Sequence, residues 1–186
     1  MAGPENMEFT KKLGFVIEEK PGLFRSLRAE DVTEAYVQAL RKQRSYLCNN
    51  PEDITIHWQQ DYIEKIRSSP HNAICGLFLG SELIGTAGMQ NIKRGETTTF
   101  GIFIIDTESR GKGYGKTLVW SSCYLLSKVY LIESFGAGME KANIPSLKSF
   151  FACGFKIVEE DAKFFKVGLN AQELHTPPFI KDVVLE

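Results

Sequence analysis

Residues 100–116 read Phe100-Gly101-Ile102-Phe103-Ile104-Ile105-Asp106-Thr107-Glu108-Ser109-Arg110-Gly111-Lys112-Gly113-Tyr114-Gly115-Lys116. An apolar, β-branched run gives way to three glycines at alternate positions. Leu118, Val119, Ser122, Leu125, Leu126 and Val129 then recur at helical spacing. Run, loop and stripe predict a strand, a Gly-rich turn and a helix. That order has a chemical consequence. The first turn of a helix leaves backbone N–H groups unpaired and carries the positive end of the helix dipole. Glycines let a ligand approach this backbone closely and open a concave nest of amides. Arg110, Lys112 and Lys116 add positive charge. The expected ligand group is a phosphate or pyrophosphate, and a side chain placed at Gly113 is expected to fill its seat.

Upstream of the loop the pattern is mixed. Residues 13–17 suit a short strand, and Leu23–Arg28 alternates apolar and polar as a half-buried strand does. Val32, Ala35, Tyr36, Ala39 and Leu40 mark a helix with Asp31 as its expected N-cap. Trp58, Tyr62, Ile63 and Ile66 mark a second helix that stops before Ser69-Pro70, with Trp58 and Tyr62 expected to pack in the core. Strands follow at Asn72–Leu79, Glu82–Met89 and Thr97–Ile105, the first two joined by a tight turn at Gly80-Ser81. Lys93–Glu96 reads as a charged hairpin turn. Downstream come a strand within Leu131–Met139, a helix opened by Asn143-Ile144-Pro145 and closed by Cys153-Gly154, and a hairpin of Phe155–Val158 with Phe164–Val167. The fold class is α/β (α+β), with a mixed, mostly antiparallel sheet of about six or seven strands and about four helices. The expected organisation is a lead-in over 1–21, one domain over 22–169 and a tail over 170–186. The tail residues Phe179-Ile180 and Val183–Leu185 are too apolar for a free end, so docking on the chain's own sheet or on a second subunit is expected.

The chain has 186 residues, the length of a single domain, and 43% of them are apolar, enough for a real core. Lys plus Arg is 22 against Asp plus Glu 23, which argues against a nucleic-acid coat protein. No apolar run approaches the roughly 20 residues of a membrane span, and the N-terminus lacks the layout of a signal peptide. A cytoplasmic setting follows as the expectation, with no nucleic-acid or membrane partner. Cys48, Cys75, Cys123 and Cys153 are widely spaced, with small or apolar neighbours, and read as reduced buried thiols. His57, His71 and His175 are scattered, so no metal site is expected.

Three loop patterns compete at 110–117. The nucleotide P-loop GxxxxGK[ST] requires glycine at position 110, which is arginine. The dinucleotide fingerprint GxGxxG requires glycine at 116, which is lysine. The pattern [QR]xxGx[GA] fits Arg110–Gly115. This hexapeptide resembles the acetyl-CoA signature of the GNAT superfamily of N-acetyltransferases. The apolar strand before the loop and Asn143-x-x-Ser146 leading to Gly154-Phe155 extend the resemblance over about residues 22–168. The spacing is closest to that of ribosomal-protein and amino-sugar acetyltransferases.

The resemblance implies a GNAT fold whose loop-preceding strand splays from the next parallel strand. It implies acetyl transfer from acetyl-CoA, as co-substrate and without a metal, to a primary amine of a small molecule or a protein N-terminus. Pantetheine would lie along Phe103, Ile104 and Ile105. The pyrophosphate would sit on Arg110, Gly111, Lys112, Gly113, Tyr114, Gly115 and Lys116. Asn143 would contact the pantetheine arm or fix its neighbouring backbone, and Phe150 would border the cofactor. Many relatives carry tyrosine where this chain has Phe150, which has no proton to give. Glu96, with Glu133 second, is the candidate base, and Ser146 or Ser149 on the same helix, or water, would have to serve as acid. A catalytically weak acyl-CoA-binding domain of the same fold is the alternative, and either a monomer or a homodimer is compatible.

Overall fold

The computed structural model describes residues 9–44, 53–106, 108 and 111–186. In chain order these form β1 (Leu13–Ile17), β2 (Lys20–Ser26), α1 (Glu34–Lys42), α2 (Ile56–Arg67), β3 (Ala73–Leu79), β4 (Glu82–Gln90), β5 (Thr97–Ile104), α3 (Tyr114–Val129), β6 (Ser134–Glu140), α4 (Ile144–Ala152), β7 (Lys156–Glu160), β8 (Phe164–Asn170) and β9 (Ile180–Leu185). The strands make one open sheet in the order β7-β8-β6-β5-β4-β3-β2-β1-β9. Every neighbouring pair whose register is defined is antiparallel except β5–β6, which is parallel. The sheet therefore has nine strands. β1 pairs with β2, and the C-terminal tail adds β9 antiparallel to β1. The apolar tail is thus docked on its own sheet.

Two cores lie on opposite faces. On one, α3 and α4 cover a cluster that includes Trp120, Leu125, Phe100, Phe135, Phe150 and Val167. On the other, α1 and α2 cover a smaller cluster around Tyr36, Val37, Ile63 and Phe78. β3 faces both layers and is buried along nearly its whole length, as its unbroken Ala-Ile-Cys-Gly-Leu-Phe-Leu run requires. Within the smaller core Tyr36 accepts a hydrogen bond from Gln59 Nε2 at 3.1 Å, and burial pushes its phenol up to about 12.

Three local expectations change. Asp31 does not cap α1; Thr33 does, its Oγ1 accepting from the Tyr36 N–H at 3.2 Å. Asp31 instead accepts from Arg25 Nη1 and Nη2 at 2.7 and 2.8 Å and from the Arg28 N–H at 2.8 Å. Burial alone would raise its carboxyl, but the Arg25 and Arg28 donors outweigh that and leave it below its ordinary value. Trp58 stacks flat on Tyr62 at 5.7 Å yet is 37% exposed, so only Tyr62 joins the core. Glu18 and Glu19, the two residues between β1 and β2, both have positive φ, 47° and 66°. This is the conformation of a tight hairpin turn.

Cys75, Cys123 and Cys153 are buried free thiols, and Cys48 lies outside the described residues. Among the described residues no group of His, Cys, Asp and Glu could hold a metal ion. No described helix is long and apolar enough to cross a membrane.

Candidate active site

The site is built where the sheet stops being continuous. β5 and β6 pair at three positions only, Thr97 with Ser134, Thr98 with Phe135 and Thr99 with Gly136. Beyond Thr99, β5 follows β4 as far as Ile104, while β6 follows β8 as far as Glu140. A wedge opens between the carboxyl ends of two parallel strands, the place where α/β sheets receive ligands.

The ladder fixes what faces the wedge. The Ile105 N–H donates to the Ile84 carbonyl at 3.0 Å, so odd-numbered residues of β5 turn their polar groups to β4. The backbone of Phe100, Ile102 and Ile104 therefore turns into the opening. Of the three expected strand residues, Ile104 presents its backbone there, and Phe103 and Ile105 do not. The Ile104 carbonyl accepts from Gln43 Nε2 at 3.0 Å, so a side chain at the end of α1 reaches the edge of the wedge. The sequence carries no signal for this contact, which joins residues 61 positions apart.

On the α1/α2 face the sheet around the wedge is bare. Gly88 and Gly101 are cross-strand partners, and Gly136 and Gly138 lie on the same face of β6. A Cβ at Gly88, Gly101 or Gly138 would meet nothing within 4 Å. Glycines inside strands weaken a sheet and mark places where another group approaches closely.

Two helices start at the open end of the wedge. α3 follows β5 through the Gly-rich loop, and α4 follows β6 through Lys141–Asn143. Gly111 and Gly113 are both left-handed, with φ of +88° and +84°. Gly113 precedes α3 and gives it no side-chain cap, so the first N–H groups of α3 stay available. α4 is capped by Asn143, whose Oδ1 accepts from the Ser146 N–H at 3.3 Å, with Pro145 in its first turn. The three loop glycines have three different roles. A Cβ at Gly111 would meet nothing within 4 Å. One at Gly115 would fall 2.5 Å from Ser149 Oγ, so this glycine lets α4 pack on α3. One at Gly113 would fall 2.7 Å from the Phe179 ring. A side chain at Gly113 therefore runs into the C-terminal segment and does not fill the cradle. Tyr114 and Lys116 are half-buried in the first turn of α3, and Lys112 is exposed. The Lys116 carbonyl accepts from Cys153 Sγ at 3.4 Å. Arg110 lies outside the described residues.

The structure also places Phe150, Glu96 and Ser146. Phe150 is 1% exposed and packs on Phe100 at 5.4 Å and Phe155 at 4.9 Å. It belongs to the core. Glu96 and Ser146 are not brought together. Glu96 is exposed at the closed end of the β5–β6 pair, 3.6 Å from Lys93 Nζ. Ser146 stands beyond the far end of β6. Seven residues of strand separate those ends, roughly 20 Å at the usual rise. The two residues therefore lie toward opposite ends of β6.

Comparison with known proteins matches this geometry. The sequence profile of the acetyltransferase (GNAT) domain matches residues 23–156. No curated protein matches the sequence. Among solved structures, Mycobacterium smegmatis RimJ in complex with CoA-disulfide superposes with a TM-score of 0.77 at 12% identity, over 93% of this chain and 91% of that one. Ribosomal-protein-S5-alanine acetyltransferase from Vibrio fischeri gives 0.72 at 17% identity, over 88% and 99%. Spermidine N-acetyltransferase from Vibrio cholerae in complex with CoA and spermine gives 0.68 at 17% identity, over 82% and 96%. At these identities the structures speak for the fold. The profile spans most of the chain and includes the wedge, the Gly-rich loop and the start of α4, so the chain belongs to the GNAT acetyltransferase family.

Proposed function

We propose that the protein is an acetyl-CoA-dependent N-acetyltransferase acting on a primary amine of a small molecule or of a protein N-terminus. The observation that carries this reading is the wedge: parallel strands paired at three positions, then diverging toward a left-handed glycine loop and two helix N-termini. Membership of the family supports it, as do the CoA complexes of RimJ and of the spermidine enzyme.

The residues present fit the co-substrate. The loop offers unpaired amides at α3 and an unobstructed surface at Gly111, with Lys112 and Lys116 beside it, as a pyrophosphate requires. The backbone of Phe100 and Ile102 offers donors and acceptors along the wedge for an amide-containing arm. Acetyl-CoA supplies a thioester that an amine attacks directly, forming the N–C bond and breaking the C–S bond; solvent takes the amine proton and protonates the thiolate.

What the chain adds is placement. Fixing donor and acceptor in reacting geometry contributes much of the rate in such transfers. The bare face over Gly88, Gly101 and Gly138 leaves room for the acceptor beside the wedge. No described thiol is poised as a nucleophile: burial pushes Cys153 up to about 12 and raises Cys75 and Cys123 as well. Such thiols also fit the reducing, cytoplasmic setting that belongs to this reading. The core position of Phe150 and the separation of Glu96 from Ser146 favour one second reading, a domain that holds acyl-CoA with little turnover.

Titration with acetyl-CoA, followed by thiol release against a panel of amino sugars, polyamines and peptide N-termini, tests both. Absence of acetyl-CoA binding above the micromolar range overturns both readings. Tight binding with background thiol release across the panel favours the second.

A further inference from the structure

The chain after β8 crosses the loop that the proposed function uses. A single 3-10 turn at Ala171–Glu173 leads it over the end of α4, where the His175 N–H donates to the Cys153 carbonyl at 3.0 Å. Thr176 Oγ1 then accepts from Trp120 Nε1 of α3 at 3.1 Å. Pro177 is buried, and the Ile180 N–H closes a turn onto the Pro177 carbonyl at 3.0 Å before β9 pairs with β1. Between these anchors the half-buried Phe179 lays its ring on Gly113. A Cβ there would meet three ring carbons at 2.7, 3.1 and 3.3 Å.

We infer that Phe179 is a positioning residue for the phosphate cradle. The inference rests on the reading that residues 111–116 bind the pyrophosphate of CoA. Gly113 is the hinge between loop and helix, and a glycine visits positive and negative φ about equally when nothing restrains it. The ring occupies the side of Gly113 where a side chain would stand and restrains it at φ +84°. Held there, the first N–H groups of α3 keep their direction, and a phosphate need not order them on binding. The anchors at Cys153, Trp120 and β1 join the ring to both helices and to the far edge of the sheet.

The test compares Phe179→Ala and Phe179→Leu with the wild-type chain, measuring Kd for CoA and for pantetheine, which lacks the phosphates. The expected result for Phe179→Ala is a roughly tenfold weaker CoA affinity with pantetheine binding unchanged, and for Phe179→Leu a return of most of the loss. A CoA Kd within twofold of wild type in folded Phe179→Ala overturns the inference. So does an equal loss for pantetheine, which would mark general loosening. A double-mutant cycle with Gly113→Ala supplies an independent check. The Gly113 substitution weakens CoA binding more when the Phe179 ring is present than when it is absent, and additivity overturns the inference. Wild-type protein that binds no CoA overturns the underlying reading before Phe179 is at issue.

Discussion

Gly85 and Gly88 lie three residues apart on β4, and the structure predicts opposite outcomes when each becomes alanine. A Cβ at Gly85 would stand 2.5 Å from the Phe103 carbonyl oxygen and 3.0 Å from Leu118 Cδ1. The first neighbour is backbone in a paired strand, so it cannot rotate away. Either β5 shifts at its end or α3 lifts from the sheet. Overpacking of this kind costs about 1–3 kcal/mol, offset by the roughly 0.5–1 kcal/mol that alanine gains over a strand glycine. The net loss is about 1–2 kcal/mol, which for a domain of this length lowers Tm by about 2–8 °C. A Cβ at Gly88 meets nothing, so that variant keeps only the gain and rises by about 1–4 °C. Thermal unfolding by circular dichroism reads both values. The displaced Phe103 also moves the end of β5 beside the wedge, so CoA binding weakens severalfold in Gly85→Ala and is unchanged in Gly88→Ala. A Gly85→Ala variant that melts at or above Gly88→Ala refutes the packing argument.

Gly111→Ala tests the cradle without touching its neighbours. The new methyl faces open space but the backbone must hold φ +88°, a strain of about 1–2 kcal/mol, so CoA affinity is expected to fall about 5–30-fold with the fold intact. Replacing Glu18-Glu19 by Asn-Gly relieves two left-handed non-glycine residues and should raise Tm by about 2–8 °C; no rise would show that the turn is not held as described. Asp31→Ala removes the carboxylate that pairs with Arg25 at 2.7 Å, both side chains being largely buried, and should cost about 1.5–3 kcal/mol near neutral pH, the range for hydrogen bonds to charged groups. The folded carboxyl lies below its unfolded value of about 3.9, so its contribution is full above that value and disappears as pH falls through the folded one. Urea unfolding should show the gap between wild type and variant closing below about pH 4, and a constant gap down to pH 2 would refute it.

Much of the fold is legible because local chemistry and tertiary structure agree. The Asn143 cap, the Pro145 first turn and the left-handed Gly154 are each dictated by residue type, and all three appear at α4. The alternation of β4 and β5 and the stripe of α3 place these elements within a residue or two. The Asp31 cap fails for a local reason: Arg25 lies near enough to claim the carboxylate, and Thr33, two residues on, has an oxygen to spare. Trp58 fails because an aromatic at core spacing can equally pair with its neighbour on the same helix face.

The site is legible only where it is made of backbone. A glycine loop before a helix declares its use in the sequence, since few other purposes require left-handed residues beside unpaired amides. Side-chain contributions give no such notice. Gln43 reaches Ile104, Phe179 reaches Gly113, and Glu96 and Ser146 stand apart, all through contacts set by sheet order and strand length. Phe150 shows the same limit from the other side. The resemblance puts it where many relatives carry tyrosine, while the α3/α4 face of β5 presents Phe100, and packing with Phe100 and Phe155 holds the ring in the core. A site whose main requirement is to hold two reactants together can be built from amides and bare strands. This chain's wedge is consistent with that economy: its most informative residues are glycines, and the side chains that matter are those that restrain them.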